Sequence, residues 1–566
     1  MTPPARRLRH RIPVKLRHNY KLVALCAAFL AVCWGVFGNG TVRPYVATAQ
    51  TASAGAVTQN LTGTKNLFDT SLPHEVKLTF TDEAYEDMLG EYFNDGEKKY
   101  VEADLTIDGT RVQSVGVRLK GNSTLAGLTW KGKSRMGGPG GFPGGRGGQP
   151  PEGFQPPEGF QPPEGFQPPE GFQPPEGFQP PEGFQPPGDG QPQTGQPPTG
   201  QPQPVQPQPG QPPRGGFGGL ASLKAEEPEK LPWLIRFDEF VEGRRYQGHS
   251  QIAVRPAAMG SNTLLNEALG IALVGASGEP TQRSTYSAFT VNGRASTPRL
   301  LVEYLDEDYA ASLGEGVLYK SLASGSFTYK GEDQTEYTND FKQINQVGGK
   351  DRQPVIDLIK WVNEVSGAEF AAGLAERLEV ESFARYVALQ NIMMNFDDMA
   401  GPGKNYYLWY DQDTKKFTVI TWDLNFAFNG DAKLGVHETA SMGMGPGRPQ
   451  QGRAQQPQGQ RPEGVTPPEE GRRRPAGGMM RMGHPLKEKF LKTPAFKKVY
   501  EEQYRVLYRK LLAGGTASAL LDGLVASYKR NERADVAEID AEAKALRTTL
   551  RTRTESLRSD KVISGS

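Results

Sequence analysis

The sequence is poor in cysteine and in histidine. Its 566 residues include two cysteines, Cys26 and Cys33, and six histidines. Both cysteines lie in one apolar run near the N-terminus, so the rest of the chain has no disulfide, thiolate nucleophile or zinc–thiolate site. Six scattered histidines also argue against a histidine-rich metal site. The chemistry that remains is that of carboxylates, amides and hydroxyls.

An excess of charge of either sign is also missing. The chain has 65 basic and 64 acidic residues and a formal net charge of +1. Proteins that bind nucleic acid through bulk electrostatics are markedly basic, and strongly acidic chains tend to stay solvated and unfolded. The composition therefore predicts no nucleic-acid partner.

The N-terminus resembles an export signal. Residues 1–21 are basic and precede an uncharged, apolar run at 22–38, which is at the short end for a membrane span. The basic flank predicts a cytoplasmic N-terminus. A cleaved signal peptide is the alternative, with an A-x-A site at 47–49. Either way the remainder is expected to be extracytoplasmic, membrane-anchored or secreted, with residues 39–66 as a tether.

Two low-complexity segments interrupt the chain. Residues 137–219 contain six consecutive copies of PPEGFQ, and residues 436–484 are rich in Gly, Pro, Gln, Arg and Met. Dense proline excludes helices and central strands, and so few apolar residues cannot form a core, so both segments are predicted to be disordered. The PPEGFQ copies serve as a passive spacer or as multivalent sites for a partner. The folded parts are then 67–136 with 220–435, and a helical C-terminal part at 485–566.

The folded parts alternate between strand and helix patterns. Asp108-Gly109 and Asn292-Gly293 are hairpin turn signals between alternating strands. The fold class is therefore predicted to be α+β, with antiparallel hairpins. The predicted elements that matter below are a strand at Phe327–Gly331, a helix at Val380–Met394, and long helical stretches at Pro485–Leu512 and Ala517–Leu557.

The most informative stretch runs from Asn395 to Asn425. Its loop carries Asp397, Asp398 and Asn405, and a hairpin of two strands at 406–410 and 417–423 then brings Asp423 back towards that loop. A kinase-like phosphotransferase needs such a layout: one Asp for the attacking hydroxyl, and an Asn and a second Asp for the metal ions. Magnesium prefers hard oxygen ligands and few of them from protein. The alternative is a polar turn whose acids face water.

A second polar segment follows the strand at Arg111–Leu119. It reads Lys120-Gly121-Asn122-Ser123-Thr124, and such residues at a strand end can direct N–H groups towards an anion. An ordinary turn is the alternative interpretation of this segment.

Several motifs in the same order resemble the CotH kinase family, the secreted atypical kinases named after spore coat protein H. Each motif is weak alone, and together they cover most of 67–136 and 231–512. They are GVRLKGNST at 116–124, LPWLIRFDEFVEGRRYQGHSQIAV at 231–254, LLVEYLDEDYAASL with GVLYK at 300–320, NFDDMAGPGKNYYLWY with ITWDLNFAF at 395–428, and HPLKEKFLKTPAFKKVYEEQY at 484–504.

The resemblance implies an atypical protein-kinase-like core that binds ATP with Mg²⁺ or Mn²⁺ and phosphorylates Ser or Thr of an extracytoplasmic or coat protein. It also implies roles for individual residues: Asp397 as the catalytic acid with Asp398 as a rival, Asn405 and Asp423 as metal ligands, and Lys120, Asn122, Ser123, Arg236 and Glu303 at the nucleotide.

Two positions depart from the family pattern. Arg236 stands where a lysine is expected, and Arg differs from Lys in reach and geometry. Asn425 stands where an Asp is more usual, which removes one carboxylate from a second metal site. The alternative function is a non-catalytic pseudokinase or scaffold that organises an envelope or coat layer. A non-protein acceptor, such as a glycan or polyphosphate, would require the same core motifs.

Overall fold

The computed structural model describes residues 56–121, 124–135, 223–256, 261–346, 349, 351–440 and 483–565. These residues form a mixture of helices and sheets, which confirms the α+β prediction. The predicted N-terminal segments at 1–21 and 22–38, most of the 39–66 tether, the PPEGFQ insertion and nearly all of the second insertion lie outside the described residues.

The strands in chain order are β1 Gln59–Leu61, β2 Glu75–Thr79, β3 Val101–Ile107, β4 Thr110–Leu119, β5 Leu128–Trp130, β6 Lys133–Ser134, β7 Leu223–Lys224, β8 Trp233–Arg236, β9 Arg244–Tyr246, β10 Gln251–Val254, β11 Ser284–Val291, β12 Thr297–Glu303, β13 Gly316–Ser321, β14 Phe341–Gln343, β15 Tyr406–Asp411 and β16 Phe417–Thr421. The α-helices are α1 Asp82–Asn94, α2 Leu265–Ser277, α3 Glu307–Leu313, α4 Gln353–Glu364, α5 Gly367–Gly373, α6 Val380–Ile392, α7 Pro485–Lys492, α8 Pro494–Leu507, α9 Thr516–Lys529, α10 Val536–Arg558 and α11 Lys561–Ser564.

The chain divides into two compact units. The smaller unit comprises Gly121–Glu227 and Ala258–Gly260. Its described residues form one small sheet, in which β5 pairs antiparallel with β6 and parallel with β7.

The larger unit contains a closed seven-stranded barrel in the order β10-β12-β11-β2-β3-β4-β8. All its pairs are antiparallel except β11 with β2. The predicted turns are present, since Asp108 and Gly109, and Asn292 and Gly293, all have positive φ. Turns with two such residues match the twist of the strands that they join.

A four-stranded antiparallel sheet, β14-β13-β15-β16, carries the predicted 406–423 hairpin. Successive side chains of a strand point to opposite faces. Tyr406 and Leu408 belong to the main hydrophobic core, which also includes α2 and most of the later helices. Tyr407 and Trp409 belong to a smaller core together with Trp422. The sheet therefore separates two apolar layers. Trp422 packs in the smaller layer, and Asp423 is the next residue in the chain.

Some element predictions were wrong. Phe327–Gly331 is not a strand, because its backbone forms hydrogen bonds within the same loop: the Lys330 N–H donates to the Tyr337 hydroxyl. The stretch predicted at 485–512 breaks before Pro494, whose missing N–H and fixed φ favour the first turn of a new helix. The stretch predicted at 517–557 breaks at 530–535, where Asp535 caps α10 by accepting from the Glu538 N–H.

The described fold also extends beyond three predicted boundaries. Gln59–Leu61 pairs in parallel with Arg244–Tyr246, so the tether ends before residue 59 rather than at 66. Val436 is 1% exposed and His484 is 2% exposed, so both ends of the predicted 436–484 insertion are buried in the fold. The Gly-, Pro- and Gln-rich composition of the segment as a whole concealed the burial of Val436 and His484 at its two ends.

In the part of the chain that the structure describes, no single helix is both long and apolar enough to cross a membrane. One pair, Pro494–Ala513 with Thr516–Lys529, meets the length and hydropathy criteria only when taken together, and it is bent by 49°.

His484 is a buried histidine whose protonation should control acid stability. Its Nε2 lies 3.0 Å from the Tyr406 hydroxyl, and its ring packs against Phe327. Burial, reinforced by Lys404 and Lys487, holds the pKa of His484 well below its usual value. Below about pH 6.5 the unfolded chain therefore binds a proton that the folded chain does not, and stability falls as the pH falls.

We predict that wild type loses about 1 kcal/mol more unfolding free energy than His484→Gln between pH 6.5 and 5.5. Denaturant unfolding at several pH values measures the difference. His437→Gln, at a more exposed histidine, is the control and should keep the wild-type dependence. An equally steep fall in His484→Gln would show that other groups govern acid stability.

Candidate active site

The loop after α6 joins Asp397 to Asn405. The Asp397 carboxylate, which is buried, accepts a hydrogen bond from the Gly403 N–H at 2.6 Å and another from Asn405 Nδ2 at 2.9 Å. Asn405 Nδ2 also donates to the Asp397 carbonyl at 3.1 Å. The loop thus holds one carboxylate and one amide as a connected pair. Among the described residues, no group donates to the amide oxygen of Asn405.

Asp398 has a different environment from its neighbour. Its carboxylate accepts from the Ala400 N–H at 2.8 Å and forms a salt bridge with Lys487 of α7. Asp398 is 3% exposed, and the side chain of Lys487 is also largely buried. This acid is therefore committed to holding the loop against α7. The Gly483 N–H strengthens the same junction by donating to the Ala400 carbonyl.

Two glycines allow the loop to close over Asp397. A Cβ at Gly401 would lie 2.5 Å from the Asp397 Cα. A Cβ at Gly403 would lie 2.6 Å from Asp397 Oδ2 and 2.7 Å from Asn405 Nδ2. Contacts this short do not occur for real side chains, so the approach of the backbone to the carboxylate requires glycine at both positions.

The pKa of Asp397 is raised to about 6. Burial is the main cause, and repulsion by Asp423 and Asp398 adds to it, while the Gly403 N–H opposes the shift. Asp423 therefore contributes to the electrostatic environment of Asp397. Asp397 still ionises near neutral pH.

Asp423 sits in a left-handed turn at the end of the hairpin, with φ 52° and ψ 64°. Its Oδ1 lies 2.5 Å from an Nη of Arg255, and the Nε of Arg255 lies 2.9 Å from Glu267 in the first turn of α2. Burial alone would raise the pKa of Asp423, but Arg255, Lys120 and Lys320 outweigh it and lower that pKa. Asp423 is therefore an ionised carboxylate among cations.

Two lysines complete this cluster. Lys120 Nζ lies 5.2 Å from the centre of the Trp422 ring, and Lys320 Nζ lies 5.0 Å from it. Burial lowers the pKa of Lys120 to about 7 and that of Lys320 to about 8, although Asp423 opposes both shifts. A small cavity has Lys120, Arg255, Glu267, Trp422 and Asp423 among its lining residues.

Some predicted site residues lie elsewhere. Arg236 pairs with Asp238 at 2.7 Å, and its strand register places it opposite Gln251, at the other end of β10 from Arg255. Glu303 pairs with Arg283 at 2.8 Å rather than with any cation of the cluster. Asn122 and Ser123 lie outside the described residues.

Three residues of the cluster, Arg255, Glu267 and Lys320, were not predicted from the sequence. A sequence pattern for the first two was present, since Arg255 directly follows β10 and Glu267 lies in the first turn of the next helix. Lys320 ends the GVLYK motif, whose lysine was given no role. The acid–base pairing across the cluster is a tertiary contact that no local pattern reveals.

The donor set fits a magnesium or manganese ion bound through few protein ligands. Among the described residues, no group of three or more His, Cys, Asp or Glu side chains is placed to hold a metal by itself. Asp423 and the Asn405 amide supply hard oxygens, and Mg²⁺ usually keeps several waters and takes one or two carboxylates plus phosphate oxygens. The chemistry of Asp423 and Asn405 is therefore compatible with such an ion.

The fold and this site define an α+β protein in which buried acids and cations meet around a hairpin. A family model described as CotH kinase protein matches residues 213–557, which is more than half of the chain. The chain therefore belongs to the CotH kinase family, as its motifs suggested. A search of curated proteins found no match.

The Asp398–Lys487 pair gives a test of how the loop is held. Breaking a buried pair on one side leaves an uncompensated charge, which costs about 3 kcal/mol or more. We predict that Lys487→Met loses about this much unfolding free energy, and that adding Asp398→Asn recovers at least 1 kcal/mol of it. Denaturant unfolding of both single variants and the double variant measures the coupling.

Lys492→Met is the matched control, because Lys492 is an exposed lysine of the same helix. It should cost less than about 0.5 kcal/mol. Strictly additive effects of Lys487→Met and Asp398→Asn would contradict a stabilising ion pair.

Proposed function

We propose that this protein is a metal-dependent phosphotransferase with a kinase-like core, which transfers the γ-phosphoryl group of ATP to a Ser or Thr hydroxyl of an extracytoplasmic protein. The observation that carries the proposal is that two acids of the 395–425 stretch are held by specific partners: Asp397 by Asn405, and Asp423 by Arg255. Membership of the CotH kinase family supports it.

Asp397 is the residue that would orient the acceptor hydroxyl and take its proton. Its carboxylate is buried, and its pKa of about 6 leaves it ionised at neutral pH but basic enough to accept a proton. Asp398 is the weaker candidate, because its carboxylate is already neutralised by Lys487. The environments of the two adjacent acids thus favour Asp397 as the catalytic residue and Asp398 as the residue that positions the loop.

Asn405 and Asp423 are the residues that would hold Mg²⁺ or Mn²⁺. When bound, the metal neutralises charge on the phosphates. Arg255 holds the Asp423 carboxylate by one oxygen, and the Asn405 amide group is fixed by Asp397. Both side chains are therefore positioned before any ligand arrives, which lowers the cost of binding one.

Arg255 and Glu267 correspond in arrangement to the cation and helix acid that protein kinases pair behind the nucleotide phosphates. The basic residue joined to the helix acid is thus Arg255, whereas Arg236, which the motif assigned to the nucleotide, pairs with Asp238. A guanidinium can hold Glu267 and Asp423 at once through its fork of donors. Lys120, which lines the same small cavity as Asp423, is a further candidate for a phosphate contact.

The protein acceptor and the location are part of the proposal. The apolar segment at 22–38 would export the catalytic part, either anchored to the membrane or released after cleavage. An exported kinase also needs a supply of nucleotide outside the cytoplasm.

The test is phosphoryl transfer by the full chain with labelled ATP and Mg²⁺ or Mn²⁺. We predict that Asp397→Asn lowers the rate at least a hundredfold while ATP binding changes less than threefold. Asp423→Asn should lower both the rate and the metal dependence of ATP binding. Asp413→Asn, in the exposed turn of the same hairpin, is the control and should retain wild-type activity.

Absence of label in wild type with either metal would contradict the proposal. If ATP still bound in that case, the protein would be a pseudokinase that serves as a binding module. Unchanged transfer in Asp397→Asn would remove the assigned role of Asp397.

A further inference from the structure

Lys320 is a partly buried cation to which the proposed reaction gives no role. It lies on β13, and its ammonium group contacts two aromatic rings, at 5.0 Å from the centre of Trp422 and 5.6 Å from that of Tyr407. Lys120 contacts the same Trp422 ring at 5.2 Å. Trp422 directly precedes Asp423. Two ammonium groups thus share one ring beside the acid of the candidate metal site.

Neither ammonium group has an acceptor of its own. Among the described residues, Nζ of Lys120 and Nζ of Lys320 make cation–π contacts but no hydrogen bond and no salt bridge. An ammonium group carries three donors, and an aromatic face is a weak substitute for an oxygen acceptor. The donors of both lysines are therefore available to a ligand.

The sheet register places a third lysine next to Lys320. Lys342 of β14 lies directly opposite Lys320 in the antiparallel β13–β14 pair, and like charges in that arrangement destabilise a sheet. Lys342 is exposed and forms no salt bridge with another described residue. The arrangement is unfavourable for the fold alone, and an anion bound at Lys320 would relieve it.

The surrounding charges also favour an anion. Asp423 attracts Lys320, whereas Lys342, Arg118 and Lys98 repel it, and burial together with this repulsion lowers the pKa of Lys320 to about 8. Lys120 is repelled by Arg255 and Lys320 and attracted by Asp423 and Glu267. Both of these acids are already bound to Arg255. Two acids therefore face three cations, Arg255, Lys120 and Lys320, and do not compensate all of them.

We infer that Lys120 and Lys320, on the ring of Trp422, form a binding site for a phosphate group. Phosphate supplies several acceptor oxygens and the negative charge that two ammonium groups need. The phosphate belongs either to the polyphosphate chain of a nucleotide or to a phosphorylated acceptor. The assignment of the phosphate to one of these two sources rests on the proposed function, whereas the binding of a phosphate anion by the two lysines does not.

The test measures binding of metal-free inorganic tripolyphosphate to the full chain by calorimetry. Lys320→Met removes one ammonium group, and we predict that it weakens binding at least tenfold. Lys342→Met removes the same charge from the opposite, exposed position and should weaken binding less than threefold. Lys120→Met should match Lys320→Met. Melting curves establish that each variant is folded, and Lys320→Arg, which keeps the charge, should retain most of the binding.

Two further ligands identify the source of the phosphate. A selective loss of ATP affinity in Lys320→Met assigns the site to the nucleotide. A selective loss of affinity for a phosphoserine peptide assigns it to the acceptor. Equal weakening by Lys320→Met and Lys342→Met, or no tripolyphosphate binding by wild type, would overturn the inference. Wild-type binding that depends on Lys320 without any phosphoryl transfer would preserve the inference and refute the proposed function.

Discussion

The candidate site depends on one buried guanidinium. Arg255, directly after β10, binds Glu267 of α2 on one side and Asp423 of the hairpin turn on the other. It thereby joins the barrel, the helix and the four-stranded sheet at one point. Burying three charges is favourable only if each is compensated, and removal of one partner from such a set costs about 3–5 kcal/mol. The same pairing keeps Asp423 ionised in a place where burial alone would favour its neutral form.

The adjacent acids Asp397 and Asp398 show how environment separates two identical side chains. Asp398 forms a salt bridge with Lys487, which follows the second low-complexity insertion in the chain. Asp397 accepts hydrogen bonds from the neutral donors Gly403 N–H and Asn405 Nδ2, and burial raises its pKa to about 6. The insertion is thus flanked by buried residues, and its return point helps to hold the loop that carries Asp397.

Much of this arrangement was predictable from the sequence. Alternating residues around Asn292-Gly293 and Asp108-Gly109 indicated the hairpins, and the 395–425 stretch indicated the hairpin between Asn405 and Asp423. A joint role for Asp397, Asn405 and Asp423 stays a prediction. The partners were not predictable in the same way. Contacts between elements distant in sequence bring Arg255, Glu267 and Lys320 into the site. Arg236 was assigned to the nucleotide because a motif indicates a residue type. It does not indicate which end of the strand faces the site. Phe327–Gly331 had the residue pattern of a strand, but its backbone forms a hydrogen bond within its own loop and not with a neighbouring strand.

The most direct test of this account is a crystal structure of the chain with a non-hydrolysable ATP analogue and Mn²⁺. The account predicts an anomalous manganese peak within coordination distance of Asp423 and Asn405, phosphates beside Lys120 and Arg255, and the terminal phosphate facing Asp397. A nucleotide bound with its metal away from Asp423 and Asn405, or with its phosphates outside the Arg255 cluster, would contradict it.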